Sequence, residues 1–229
     1  MGIGVPPVTP FVKYLIIANF AVWLVQLVLL TGFGLQLASY FGVVPRRVFS
    51  GWVWQPLTYM FLHNPRDPFH LLFNMLMLWM FGGELERYWG SRGFLRYYLV
   101  SGVGGGVCVA LAGMWTASAW IPTIGASGAL FGVFIAYGVV FAERVILFML
   151  IFPMKARTMA MVMAGMNLVY LLTQPHSGVS YVAHLGGALT GYLFLKRAWR
   201  FGEFYRELRW KLRRRRFRVM PPDDDRWVN

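Results

Sequence analysis

Long uncharged apolar stretches alternate along this chain with short segments that hold most of its charged residues. A helix needs about 20 apolar residues to cross a hydrocarbon core of about 30 Å. We expect six spans, at Tyr14–Leu30, Phe69–Gly83, Tyr97–Trp115, Gly125–Ala142, Thr158–Thr173 and Val179–Leu195. The pattern therefore predicts an all-α, polytopic membrane protein with six transmembrane helices.

Two segments between the expected spans have a different pattern. Residues 40–68 are rich in aromatic side chains and are interrupted by four prolines, which favours a long first loop lying in the membrane interface. Val145–Met154 is apolar but too short to span, so we expect a strand or a turn there.

The composition agrees with a membrane location. Of the 229 residues, 58% are apolar and 14% are charged, whereas about a quarter of the residues in a soluble domain are charged. Much of the net charge of +13 lies in the C-terminal segment, beside the last expected span. A basic segment in that place is typical of contact with anionic lipid headgroups, and we expect no nucleic-acid partner.

The basic residues also indicate an orientation. In a six-span topology, 19 of the 22 lysine and arginine residues fall on the side that holds both termini. Loops rich in these residues stay in the cytoplasm, so we expect both termini there. We divide the chain into a membrane domain, residues 1–198, and a basic juxtamembrane tail with an acidic end, residues 199–229.

Four polar residues in the expected spans point to chemistry, because polar groups inside a membrane are costly and tend to be functional. They are His70 and Asn74 in the second span, Ser127 in the fourth and His184 in the sixth. All three spans enter from the outer side, so the topology places the four residues at one depth. Taken singly, a serine or asparagine in a span more often bonds the backbone or a neighbouring helix, and the shared depth weakens that interpretation.

Small residues surround the serine and the histidine. The glycines concerned are Gly125, Gly128, Gly187 and Gly191. Helices with glycine faces can approach closely, so His184 could come within hydrogen-bond distance of Ser127. The imidazole could then accept the hydroxyl proton as a general base, which a serine nucleophile requires.

A second pair of polar groups could stabilise negative charge. His70 and Asn74 are four residues apart and therefore share one helix face. Together with the backbone N–H of Ser127 they would form an oxyanion hole. Asp67 is the one acidic residue on the outer side and stays open as a third member, but a Ser–His dyad is the favoured interpretation.

Three motifs resemble the signatures of the rhomboid family of intramembrane serine proteases. They are His70-Leu-Leu-Phe-Asn74, Gly125-Ala-Ser127-Gly128 and Ala183-His184-Leu-Gly-Gly187-Ala-Leu-Thr-Gly191. The resemblance covers residues 14–195 and implies a compact six-helix bundle, in which water reaches a serine below the outer surface. It also implies Ser127 as the nucleophile, His184 as the base, and His70 with Asn74 as oxyanion donors.

The resemblance implies a substrate class and a location as well. The substrates would be transmembrane-helix proteins, cut near the outer face of an inner cell membrane, with the active site open to the outer side. Trp52–Leu62 would be half-submerged, and the fifth span with the loop Gln174–Tyr181 would gate substrate entry. Neither a cofactor nor a metal ion is expected.

Two positions depart from the family pattern. A Trp-Arg pair familiar in the first loop is here Trp54-Gln55, so the contribution of the arginine is expected to be missing. Phe131, one turn after Ser127, stands where relatives often have tyrosine, although its ring could still stack on His184. Both departures bear on loop geometry and rate rather than on the class of reaction.

Other membrane functions fit the sequence less well. A metalloprotease would need a helical HExxH motif and an aspartyl intramembrane protease two carboxylates at membrane depth, and the sequence has neither. A secondary transporter would show ionisable groups near the midplane, whereas these polar groups cluster toward one surface. The alternative that stays open is a catalytically inactive rhomboid-like protein that binds membrane client proteins, although such relatives usually lack the serine or the histidine.

Overall fold

A computed structural model of the chain describes residues 7–114, 117–148, 152–174 and 180–196. The chain divides into two compact units, Met1–Phe194 and Leu195–Asn229, and of the second unit residues 195 and 196 are described. The expected basic tail therefore lies outside the described residues. The same holds for residues 175–179, which include most of the expected gate loop and the start of the expected sixth span.

Helix α1 comprises Pro10–Phe33 and contains the whole of the expected first span. It begins with proline in its first turn, where the missing N–H costs no hydrogen bond. It ends at Gly34, whose φ of 67° is accessible to glycine at little cost. Four of its residues are buried and most of its apolar side chains are at least partly exposed, as expected for a helix that faces lipid.

The aromatic first loop folds into short helices rather than an irregular segment. They are α2 (Ala38–Phe41), α3 (Pro45–Phe49), α4 (Gln55–Thr58) and a 3₁₀ turn at Tyr59–Phe61. Pro45 and Pro56 interrupt any longer helix, and each stands in the first turn of a short one, where proline is tolerated.

The expected second span is part of a longer helical segment. Helix α5 (Pro68–Met77) continues through a π-helical turn at Leu78–Gly82 into α6 (Gly83–Trp89), without a break. The side chain of Asp67 caps its start by accepting a hydrogen bond from the N–H of Phe69 at 3.1 Å. The helix extends past the expected end at Gly83, because the acidic residues that follow it have partners within the fold.

Glu86 of α6 is one of these acidic residues and is 3% exposed. Its carboxylate accepts hydrogen bonds from the N–H groups of Phe11 and Val12, both at 2.9 Å, and from the hydroxyls of Thr9 and Ser91. It therefore satisfies the free N–H groups at the start of α1, where a negative charge is also favoured by the helix dipole.

The remaining helices and the strands follow in order. Helix α7 is Ser91–Gly113, a 3₁₀ turn lies at Ala117–Trp120, α8 is Ser127–Val140, α9 is Ala156–Thr173 and α10 covers residues 181–196. Strands β1 (Val145–Phe148) and β2 (Phe152–Lys155) pair antiparallel, with Val145 opposite Lys155. The hairpin lies in the segment where the sequence predicts a strand or a turn.

Helix α8 lies at the centre of the bundle. Ten of its 14 residues are buried, and a helix that is apolar on all sides is stable in that position. Within the described residues, α1, α7 and α9 are long and apolar enough to cross a membrane, and α8 is apolar but shorter. The chain is thus a mostly helical, polytopic membrane protein, and the count of six spans stays a prediction.

Candidate active site

Ser127 is the first residue of α8, and the local sequence explains why the helix begins there. Gly125 has a φ of 123°, a conformation that ends the preceding extended segment and that other residues rarely adopt. Its N–H donates to the carbonyl of Tyr59 at 3.0 Å. Ser127 thereby carries its hydroxyl at the N-terminus of a buried helix, where backbone N–H groups have no partner within the helix.

His184 lies in the first turn of α10, which Ser180 caps by accepting a hydrogen bond from the N–H of Ala183 at 3.3 Å. The imidazole is 8% exposed. Its Nε2 is 2.8 Å from the Oγ of Ser127, a distance typical of a hydrogen bond. The structure therefore brings these two predicted residues into direct contact.

Phe131 of α8 stacks on the His184 imidazole. The ring centroids are 4.3 Å apart and the ring planes differ by 8°. Phe131 is 6% exposed, so this contact is buried and restrains the tilt of the imidazole. The position that departs from the family pattern thus still contacts the histidine, without adding a hydroxyl.

Three of the four predicted glycines, Gly128, Gly187 and Gly191, lie where helix backbones pass close together. A Cβ added to Gly128 would lie 2.4 Å from the Tyr59 hydroxyl, and one added to Gly187 would lie 1.9 Å from the Gly128 carbonyl oxygen. A Cβ on Gly191 would be 3.0 Å from the Cα of Gly132 in α8. Helices α8 and α10 therefore touch backbone to backbone beside the serine and the histidine.

His70 of α5 faces the same site. Its Nε2 and the Oγ of Ser127 would lie 2.8 Å and 3.6 Å from a Cβ added to Gly125, so both atoms border one small volume. Its Nδ1 accepts a hydrogen bond from the N–H of Asn64 at 3.3 Å. Since Nδ1 is the acceptor, the proton of a neutral ring is on Nε2, the nitrogen that borders this volume.

Asn74 of α5 is 7% exposed. Its Nδ2 donates to the carbonyl of His70, one turn earlier, at 2.6 Å. An amide nitrogen carries two protons, so one remains after this bond. The structure thus places Asn74 on the same helix face as His70, tied to that residue.

His63, in the first loop, supports the start of α8. The ring is fully buried, and its Nε2 is 3.5 Å from the N–H of Ala126. Burial, and to a smaller extent the neighbouring His70, lowers the pKa of His63 to about 3. The ring is therefore neutral at physiological pH and can accept that hydrogen bond.

Asn167 of α9 contacts His184 and is not among the site residues predicted from the sequence. Its Oδ1 is 2.7 Å from the Nδ1 of His184, and the side chain is 7% exposed. The sequence leaves only the carboxylate of Asp67 open as a third member beside the dyad, and Asp67 instead caps α5. Its position within an expected span could have indicated a functional role, because polar side chains are costly in a membrane.

Gln55 occupies the position where the family pattern has an arginine. Its side chain is fully buried, accepts a hydrogen bond from the N–H of Val44 at 3.0 Å and donates to the carbonyl of Tyr40 at 3.2 Å. The exposed Trp54 donates to the same carbonyl at 3.1 Å. The Trp-Gln pair therefore ties the start of α4 to α2 and to the segment that joins α2 and α3, so the first loop keeps polar cross-links without the arginine.

Comparison with known proteins agrees with these motifs. Residues 50–201 match the family model described as Rhomboid domain. Rhomboid protease AarA of Providencia stuartii is 30% identical over 154 residues, which cover 61% of this chain and 54% of that protein. Rhomboid protein 1, mitochondrial, of Saccharomyces cerevisiae is 34% identical over 131 residues, covering 55% of this chain and 36% of that protein.

A shorter match links the chain to Rhomboid protease GluP of Bacillus subtilis, with 39% identity over 79 residues, 34% of this chain and 14% of that protein. The chain spans about half or less of the length of these three relatives. The matched domain nevertheless covers well over half of this chain. This integral membrane protein therefore belongs to the rhomboid family.

Proposed function

We propose that this chain is an intramembrane serine endopeptidase that cleaves transmembrane segments of membrane proteins near the outer face of the bilayer. The observation that carries the proposal is the 2.8 Å contact between Ser127 Oγ and His184 Nε2. A nucleophilic serine needs an adjacent base within hydrogen-bond distance, and this pair meets that requirement in a largely buried site. Two of the relatives reported above carry the name rhomboid protease, which agrees with this activity.

In the proposed reaction, Ser127 Oγ attacks the carbonyl carbon of the scissile peptide bond, and His184 Nε2 takes the hydroxyl proton. The tetrahedral intermediate that forms carries a negative oxygen. Its donors would be the Nε2–H of His70, the free amide proton of Asn74 and the N–H of Ser127 at the start of α8. Donors preplaced in this way usually supply a large part of catalysis.

The same histidine completes the cycle. His184 passes its proton to the leaving amine, the peptide C–N bond breaks, and an acyl ester remains on Ser127. Water then attacks the ester carbon while His184 takes a proton from that water. The bond between the acyl carbon and Ser127 Oγ breaks, and His184 returns the proton to Oγ, which releases the carboxylic acid product and restores the serine. These reaction steps need no external oxidant or reductant, and every proton moves through the imidazole.

The proposed depth of Ser127 in the membrane follows from the length of α8. With a rise of 1.5 Å per residue, α8 is about 21 Å long, shorter than a hydrocarbon core of about 30 Å. If α8 ends at the cytoplasmic surface, Ser127 lies below the outer surface. We therefore propose six spans within residues 1–198, both termini in the cytoplasm, an inner-membrane location and a site open to the outer side.

Two further parts of the chain have proposed roles. The basic tail, residues 199–229, would bind anionic headgroups of the cytoplasmic leaflet. Helix α9 with the loop Gln174–Tyr181 would gate the entry of substrate. The substrate would be a single-span protein whose helix unwinds readily near the outer surface, since a peptide bond must leave its helix to reach Ser127.

The test is cleavage of a single-span reporter with glycine and alanine near its outer end, in proteoliposomes. The intact protein should cut the reporter once, and both Ser127→Ala and His184→Ala should leave it uncut while unfolding at the wild-type temperature. Ser50→Ala, at an exposed serine of the first loop, is the matched control and should cut normally. An uncut reporter that still co-purifies with the wild-type protein would instead favour the inactive, client-binding alternative.

A further inference from the structure

Asn167 provides a buried hydrogen bond to the histidine from a helix that carries neither member of the dyad. It lies on α9, and its Oδ1 is 2.7 Å from His184 Nδ1. The other ring nitrogen, Nε2, is 2.8 Å from Ser127 Oγ. Three side chains from three helices thus form one continuous line of hydrogen bonds through the imidazole.

A second contact fixes which end of the Asn167 amide meets the imidazole. The Nδ2 of Asn167 lies 2.8 Å from the carbonyl oxygen of Met163, one turn earlier in α9. A backbone carbonyl can only accept a hydrogen bond, so the nitrogen end of the amide must face Met163. The oxygen end is therefore left for His184, because flipping the amide would replace the bond to Met163 with an unfavourable contact between two acceptor oxygens.

The orientation of the amide fixes the tautomer of the imidazole. An amide oxygen can only accept, so Nδ1 of His184 must carry the proton. In the neutral ring Nε2 then has a lone pair, and this lone pair faces the Ser127 hydroxyl. The opposite tautomer would present an N–H to the serine and could not remove its proton.

Two aromatic rings also contact the imidazole, but neither ring contact selects the tautomer. Phe131 stacks on one face of the imidazole, and Tyr181 meets it edge to face at 6.2 Å. Stacking restrains the tilt of the ring but does not select which nitrogen carries the proton. In the part of the chain that the structure describes, Nδ1 meets the Oδ1 of Asn167, so the amide sets both the rotation and the tautomer of the ring.

We propose that Asn167 is a positioning residue for the reaction, holding His184 in the Nδ1–H tautomer with Nε2 aimed at Ser127. This inference rests on the proposed protease function. It also makes the active base depend on the placement of α9, since the bond joins α9 to α10. The stacked rings of Tyr170 and Tyr181, 5.6 Å apart, join the same two helices.

The test compares three variants of the full chain in proteoliposomes. Asn167→Leu keeps the side-chain volume and removes the acceptor, whereas Asn167→Asp keeps an acceptor for Nδ1. Asn19→Leu is the matched control, because Asn19 is also fully buried and donates to the carbonyl one turn earlier, that of Leu15, at 2.8 Å. The readouts are kcat and KM for the single-span reporter and the rate of labelling by a fluorophosphonate.

We expect Asn167→Leu to lower kcat and the labelling rate by about 100-fold, the usual effect of a small misplacement of a reacting group, with KM little changed. Asn167→Asp should recover at least a tenth of the wild-type labelling rate, and Asn19→Leu should match the wild type. Equal labelling rates for Asn167→Leu and the wild type would overturn the inference. So would an Asn167→Asp variant as slow as Asn167→Leu.

A measurement on the wild-type protein decides the point even if a variant does not fold. Solid-state ¹⁵N NMR of histidine-labelled protein, with the His184 signals identified by their loss in His184→Gln, shows which ring nitrogen carries the proton. We expect Nδ1, and a resting neutral ring protonated on Nε2 would overturn the inference. Labelling or cleavage that survives Ser127→Ala would instead refute the proposed protease function itself.

Discussion

Gly187 of α10 lies so close to α8 that a Cβ added to it would be 1.9 Å from the carbonyl oxygen of Gly128. Real Cβ atoms do not come this near to a backbone oxygen, so the two helices could not pack as they do with any larger residue. Gly128 follows Ser127 directly, and Gly187 is three residues after His184. The spacing of the two helices therefore sets the distance between the serine and the histidine.

Replacing Gly187 by alanine should consequently separate α8 from α10. We expect Gly187→Ala to lower the stability of the protein by about 1–3 kcal/mol, the usual cost of overpacking. It should also slow fluorophosphonate labelling at Ser127, because His184 moves with α10. Thermal unfolding in detergent and the labelling rate check these two effects.

Gly165 of α9 offers a matched control, since a Cβ added there meets nothing within 4 Å. Gly165→Ala should raise stability by about 0.5–1 kcal/mol, because alanine is the better helix former. It should leave the labelling rate unchanged. Equal behaviour of the two alanine variants would show that the glycine contact does not control the site.

The oxyanion donors should affect the chemical step rather than binding. Loss of one such donor typically lowers kcat by about 10²–10³-fold. We expect this fall for His70→Ala and for Asn74→Ala, with KM for the single-span reporter changed by less than about threefold. A variant that retains wild-type kcat would remove its residue from the proposed oxyanion hole.

Gln55 should stabilise the first loop. Gln55→Ala removes the partner of the buried N–H of Val44, and leaving such a group unpaired costs about 1–3 kcal/mol, whereas the Tyr40 carbonyl keeps its bond from Trp54. The thermal unfolding temperature should fall accordingly. Gln36→Ala, at an exposed glutamine before α2, is the control and should unfold at the wild-type temperature. If both variants unfold alike, the Gln55 contacts do not hold the loop.

Glu86 should make the stability of the protein depend on pH. Burial alone would raise the pKa of this carboxyl, but its hydrogen bonds from Ser91, Thr9, Phe11 and Val12 outweigh burial and lower the pKa below the ordinary value of 4.5. A carboxyl whose pKa is lower in the folded state stabilises the fold above the unfolded pKa. That contribution is lost as the pH falls below about 4.5 toward the folded pKa.

The unfolding temperature of the wild type should therefore fall as the pH is lowered through this window. Glu86→Gln, which has no charge to titrate, should be less stable at neutral pH and should show a weaker dependence on pH. The same slope in both proteins would mean that other carboxyls account for the effect.

The sequence predicts the membrane class and the dyad because both rest on local signals. Ser127 and His184 are polar residues in apolar stretches, each flanked by glycines that allow close helix packing. Helix ends were less predictable. The segment after Gly83 stays helical because Glu86 contacts the start of α1. One of its partners there, Phe11, is 75 residues away along the chain.

Asn167 could not be assigned a role from the sequence. It lies 17 residues before His184, and whether its amide faces the imidazole or lipid depends on how α9 rotates against α10. The hydrophobic pattern of α9 does not determine that rotation, since only four of its residues are buried. The tertiary contact, rather than the local sequence, identifies this residue.

Fluorophosphonate labelling of the intact protein in proteoliposomes, followed by mapping of the modified residue by mass spectrometry, tests the central claim most directly. The account predicts a single adduct on Ser127, absent from Ser127→Ala and strongly slowed in His184→Ala. An adduct on another residue, or labelling that persists in Ser127→Ala, would contradict it.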